Sequence, residues 1–194
     1  MSLYADTRAL SPITARRKIW GWWAFDWASQ PYFTLGLTFV FGPYFASVAS
    51  DMFRAEGMSQ QAAAAQAQSL WSLGLTLSGL TIACLAPLLG AMADNAGRRM
   101  PWIIGFSGLY VMACLALWSL SPDGGFLYGA LIAFGLGLIA AEFTTIFTNS
   151  LLPELGPPSE IGRISGTGFA FGYAGGLASL VIMLLLFVGS GDTG

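Results

Sequence analysis

Histidine is absent from this 194-residue chain, and charge of either sign is scarce, with 8 lysines and arginines against 10 aspartates and glutamates. The missing imidazole removes the commonest metal ligand and the usual neutral-pH proton carrier, so any proton chemistry falls to carboxylates. Charged residues make up 9% of the chain, where soluble domains carry about 25%, and that is too little polarity to keep a compact domain in water. A soluble enzyme is excluded on this ground. A nucleic-acid partner is excluded too, because it needs a concentrated basic face. Cysteine is nearly missing: Cys84 and Cys114 both lie in apolar stretches where a thiol packs as a small hydrophobe, so neither a disulfide framework nor a metal site is implied. No motif calls for a cofactor.

What the chain has instead is apolar surface. Hydrophobic residues make up 55%, there are 25 glycines, and the mean hydropathy is +0.66. This rules out a disordered segment and points to an all-α integral membrane protein whose first partner is the lipid bilayer.

A bilayer-crossing helix needs about 20 mostly apolar residues, so the uncharged windows can be counted. Five qualify. The first runs from Trp27 to Ser50 and, with the aromatic approach of Trp20, Trp22, Trp23 and Phe25, makes a helix over about 20–50. The others are expected at 69–93, 100–122, 124–153 and 164–191, interrupted only by Glu142. Residues 1–19 then form an amino-terminal segment and 20–194 one membrane domain, with no repeat, low-complexity tail or second domain. The stretch from Asp51 to Gln68, rich in alanine and glutamine, reads as a helical extension of the second span.

Basic residues in short loops stay on the cytoplasmic side. Arg8, Arg16, Arg17 and Lys18 precede the first span, Arg98 and Arg99 separate the second and third, and Arg163 separates the fourth and fifth. The opposite loops hold Arg54 alone, so the count of seven against one predicts a cytoplasmic amino terminus, with tryptophans 20, 22 and 23 at the inner interface. The competing reading, a cleaved export signal with Arg16-Arg17 and a small-residue site at Ala46 to Ala49, fails because its apolar part is too long and four further spans follow.

The strongest local signal is the turn Gly90-Ala91-Met92-Ala93-Asp94-Asn95-Ala96-Gly97-Arg98-Arg99 between the second and third spans. Gly90 and Asp94 share a helix face, so a neighbouring helix can come close beside a carboxylate at the membrane edge. Gly97 permits a left-handed turn, Pro101 suits the first turn of the next helix, and Arg98 and Arg99 hold the turn at anionic headgroups. The alternative is an ordinary positive-inside loop.

Gly-x-x-x-Asp-x-x-Gly-Arg-Arg at this position resembles the signature loop of the major facilitator superfamily of secondary transporters, with Asn95 standing where that loop is usually basic. Three more stretches narrow the likeness: Trp22 to Gln30, Leu37 to Phe45, and Asn149 to Leu155 running on to Gly162-Arg163-Ile164-Ser165-Gly166. Together they are similar to the vacuole-effluxer-like, or unknown-major-facilitator, branch, related to the autophagy-linked amino-acid effluxer of fungal vacuoles. The resemblance covers most of residues 18–180 and implies part of an amino-terminal six-helix half, up to helix five, whose partner is a carboxyl-terminal half or second chain. It also implies a small solute, such as an amino acid, as substrate. The expected location is a bacterial-type plasma (inner) membrane, or a vacuolar membrane if the source is fungal.

Two acids lie inside spans, where an ionised side chain costs about 2.5 to 3.5 kcal/mol on insertion scales: Asp26 and Glu142. The resemblance places both helices around a central cavity, which makes them candidates for proton coupling. Glu142, Thr145 and Asn149 recur at i, i+3 and i+7 with Thr148 alongside, a polar stripe that is costly against lipid. The plainer readings are an acid satisfied by a neighbouring helix for Glu142, and a helix-dipole partner near the start of the first helix for Asp26. Pro31 behind Gln30 marks a kink that frees a backbone carbonyl. Gly168, Gly172 and Gly176, four apart in the fifth span, allow close helix packing.

The sequence thus favours a secondary transporter over a non-transporting scaffold or assembly subunit. A membrane enzyme is disfavoured, since no nucleophile and base pair stands out.

Overall fold

A computed structural model describes residues 12–96 and 98–188, without the side chains of 12–14, 93–96 and 188. Within them the chain is helical throughout: α1 (Pro12–Pro31), a π-helical segment (Tyr32–Phe39), α2 (Phe41–Ala55), α3 (Gln60–Ala96), α4 (Met100–Leu117), α5 (Leu127–Asn149), a 3-10 turn (Leu152–Glu154) and α6 (Pro158–Met183), which runs into a second π-helical stretch (Leu184–Val188). Five stretches are long and apolar enough to cross a membrane: Ala15–Ala55, Gln60–Met92, Met100–Leu117, Leu127–Glu154 and Pro158–Phe187. The chain is an all-α, multi-pass membrane protein.

The element ends differ from those expected, and each difference has a local cause. α1 begins at Pro12, because Arg16, Arg17 and Lys18 are good helix formers and backbone bonding does not stop where hydropathy does. The first crossing is not one continuous α-helix. Pro31 has no N–H to give to the carbonyl of Trp27, the pitch widens over Tyr32–Phe39, and α-helix resumes only after Val40, at φ −121° and ψ −67°. α3 starts at Gln60, so only 60–68 of the expected Asp51–Gln68 extension join the second span, while Asp51–Ala55 end α2; the Ser59 hydroxyl accepts from the Ala62 amide at 3.3 Å and starts the helix. α4 stops at Leu117 and α5 waits until Leu127, since Gly124 and Phe126 turn the chain with positive φ of 85° and 66°. α6 begins at Pro158, six residues before the expected Ile164, because prolines 157 and 158 suit a first turn and Glu160 favours its positive end.

The chain divides into two units, residues up to Leu35 with those from Ser150 on, and residues from Gly36 to Asn149. In the first, α1 and α6 run parallel: Trp22 faces Gly168, Asp26 faces Gly172 and Gln30 faces Gly176, a constant offset along both helices. Trp22, Leu155 and Ile164 form the buried centre, with Ile19, Trp23 and Leu152 packed around it.

In the second unit α5 is the buried helix. Its partner α3 runs parallel to it, with Gly74 against Leu131 and Gly135 against Ser78, and α4 runs antiparallel, with Trp102 against Phe147 and Phe106 against Phe143. Phe143 and Phe147 anchor one cluster with Trp102 and Phe106, while Phe41, Phe45, Trp71 and Phe134 form another, in which Phe41 stacks on Phe134 at 5.4 Å. α1 and α6 thus share a direction within their unit, and α3 and α5 share one within theirs, with α4 reversed. Successive passes through a bilayer require that alternation.

Candidate functional site: a polar seam between α1 and α6

Asp26 and Gln30 of α1, with Thr34 of the π-helical segment that continues it, stand at i, i+4 and i+8 and meet the glycines of α6. A Cβ added at Gly172 would stand 2.9 Å from Asp26 Oδ2 and 3.2 Å from its Cγ. One added at Gly176 would stand 2.7 Å from Thr34 Oγ1 and 3.0 Å from Gln30 Cγ. At Gly175 a Cβ would run into the Trp27 carbonyl oxygen, and at Gly168 into the Trp22 ring. The glycines are therefore a groove cut to admit a polar ridge, and any side chain on them would push that ridge out.

The backbone around the seam is tied locally. The buried Ser29 hydroxyl donates to the Asp26 carbonyl at 3.2 Å, and the Ser179 hydroxyl donates to the Gly176 carbonyl at 2.6 Å. The Trp27 carbonyl, whose i+4 donor Pro31 removes, is the one that abuts Gly175. Proline on one helix and glycine on the other together bring a backbone oxygen to the interface.

The structure sets Asp26 against Gly172, with Gly168 and Gly176 one turn to either side on the same groove, residues that the sequence had singled out separately. Gln30, Thr34 and Gly175 were not singled out as site residues. The step of four through 26, 30 and 34 was a legible signal for the first two.

In the other unit, Glu142 and Thr145 are half-buried on α5, Thr148 is buried, and Asn149 is exposed at the last position of the helix. The stripe thus follows the edge of α5 out of the core. Beside it the buried Thr144 hydroxyl donates to the Ala140 carbonyl at 2.8 Å, so that hydroxyl is satisfied within its own helix.

Of the turn from Gly90 to Arg99, Gly90 lies in α3, and a Cβ there would have open space. Asp94 is in the helical run of α3 but its side chain, like the whole of Gly97, lies outside the described residues. Arg98 is exposed, and Arg99 precedes α4, its carbonyl accepting from the amides of Trp102 at 3.1 Å and Ile103 at 3.2 Å. Among the described residues no three acidic or thiol side chains gather where a metal could be held.

An all-α bundle with carboxylates on two of its crossing helices defines a class, multi-pass membrane proteins. Comparison with known proteins narrows it. The chain is similar to an uncharacterized MFS-type transporter, YxiO, of Bacillus subtilis, at 25% identity over 86% of this chain and 37% of that protein. It is 33% identical to an uncharacterized protein of Aquifex aeolicus over 59% of this chain and 29% of that one. It is 29% identical to an uncharacterized symporter of Synechocystis over 55% of this chain and 22% of that one. No family model matches, and no solved structure matches. The chain therefore spans between about a fifth and somewhat over a third of the length of these relatives. The likenesses support an MFS-like transporter and, with it, transmembrane transport.

Proposed function

We propose that this chain is part of the amino-terminal half of a secondary transporter of the major facilitator type, in a plasma (inner) membrane with its amino terminus inside. It moves a small solute by alternating access, with Asp26 and Glu142 as the proton-coupling carboxylates. The observation that carries the reading is the Asp26 carboxylate lodged between two membrane-crossing helices, opposite Gly172 and in line with Gln30 and Thr34. A carboxylate in that position is costly unless it is used, and a glycine groove lets the facing helix slide past it. The relatives' names support transport, and the resemblance to the vacuole-effluxer branch supports amino acids, leaving the cell, as the first solutes to try. The turn from Gly90 to Arg99 serves as a latch at the inner face, and Thr145 and Asn149 line the path with Glu142.

The test is proton-gradient-driven flux of labelled amino acids in vesicles containing the protein. Asp26→Asn and Glu142→Gln should each reduce gradient-driven flux at least ~10-fold while exchange at zero gradient survives. Wild-type pH dependence in both variants would remove these carboxylates from coupling. Asp94→Asn should change the flux rate with insertion intact, and unchanged kinetics would count against the latch.

A further inference from the structure

At the end of the α1–α6 pair away from Pro31, a cleft of about 150 Å³ opens between Ile19 and Trp23 on one helix and Glu160, Arg163, Ile164 and Thr167 on the other. One wall is rigid. The Trp23 indole N–H donates to the Ile164 carbonyl at 3.0 Å, and the Trp23 ring stacks on Phe171 with centroids 6.3 Å apart. Trp20 meets both rings edge-on, at 5.4 Å from Trp23 and 6.0 Å from Phe171, and is itself exposed, so the cleft opens beside an aromatic ridge with no described residue covering it.

The mouth of the cleft is basic. Arg163 pairs with Glu160 at 3.2 Å, yet three quarters of its side chain is exposed, and a guanidinium with five N–H groups keeps donors to spare after one ion pair. Helix periodicity sets Arg16 on the same face as Ile19, Trp20 and Trp23, one turn before the cleft. Arg17 and Lys18 are exposed next to it. Because the two helices run parallel, these charges and Arg163 stand at the same end of the pair, four positive side chains against Glu160 and Glu154.

We infer that this cleft is a binding site for an anionic phospholipid, its phosphate held by Arg163 and Arg16 and an acyl chain lying along Trp20, Trp23 and Phe171. Two features separate it from a general basic surface. The aromatic wall is pinned by a hydrogen bond, so the apolar part of the site exists before the lipid arrives. The guanidinium offers paired N–H groups that match phosphate oxygens, and a point charge does not. A free phosphate would use the same cation but leave the exposed ridge bare, which is the reason to assign the site to a lipid.

The experiment is lipid retention. The intact protein is purified in mild detergent with equimolar phosphatidylglycerol and phosphatidylcholine, and bound lipid is counted by mass spectrometry. Retention of phosphatidylglycerol should exceed that of phosphatidylcholine. In the Arg16→Gln, Arg163→Gln protein the preference should fall ~30-fold, from about 1 kcal/mol for each basic residue near the surface. Arg54→Gln, at the far end of the first crossing, should leave it unchanged. Equal retention of the two lipids, a preference that survives the double substitution, or an equal loss on Arg54→Gln overturns the site. If inorganic phosphate alone strips the phosphatidylglycerol, the site reads a free anion and the lipid assignment is overturned.

Discussion

The carboxylate of Asp26 and the backbone of Gly172 occupy one seat: a Cβ on the glycine would stand 2.9 Å from Oδ2, closer than side-chain carbons come to oxygen. The acid and the absent side chain are thus a matched pair, on helices 146 positions apart in sequence. The pairing separates stability from function in a way that single substitutions can read.

Gly172→Ala should move the carboxylate rather than the helix, because the atoms in the way are the end of a short side chain that can rotate. Better helix propensity, worth up to about 1 kcal/mol, offsets part of the crowding. The melting temperature in detergent should therefore change little while gradient-driven flux falls. In an Asp26→Ala background the same substitution should have almost no effect on either, and a full effect there would break the link between the two residues.

Gly175→Ala should behave differently, since its Cβ would meet the Trp27 carbonyl and indole, and a backbone oxygen cannot rotate aside. The helices must separate, at a cost of about 1 to 3 kcal/mol. Gly166→Ala, on the same helix with open space at its Cβ, should be neutral or stabilising by up to about 1 kcal/mol. Thermal unfolding of the two variants side by side checks the contrast, and equal midpoints would refute it.

The turn between α4 and α5 carries a pH dependence of known sign. The Asp123 carboxylate accepts from the Ser121 hydroxyl and, at 3.5 Å, from the Gly125 amide, and these bonds hold its carboxyl below the usual range. A carboxyl depressed in the folded state lends stability that is complete above its unfolded pKa and is lost as pH falls through the folded one. Amide exchange at Gly125 should accordingly lose protection only below about pH 4, the midpoint of an ordinary aspartate. Asp123→Asn should flatten that profile, and an unchanged profile would assign the effect to another group.

Much of the fold was legible because bilayer crossing is a local requirement. Each apolar window became a helical crossing, the first of them broken by a π-helical segment, and the alanine-rich part from Gln60 of the stretch before the second span joined it. Pro31 correctly marked a break, though the widened pitch from Tyr32 to Phe39 has no signature of its own, since nothing apolar or polar changes there. The Glu142 stripe could be drawn from spacing alone, but that Thr148 is buried while Asn149, at the helix end, is exposed depends on the packing around α5.

Composition and hydropathy by themselves determined that this is an all-α membrane chain with five crossings, because a helix satisfies its backbone in lipid without help from the rest of the molecule. The tertiary structure alone decided which faces meet. The parallel packing of α1 on α6, the register that sets Asp26 on Gly172, and the recruitment of Gln30 and Thr34 depend on contacts between residues over 140 positions apart. In lipid, helices are matched by the fit of small residues and polar groups, since hydrophobicity is the same on every side. A glycine every fourth residue announces a groove, and only its partner helix determines what lies in it.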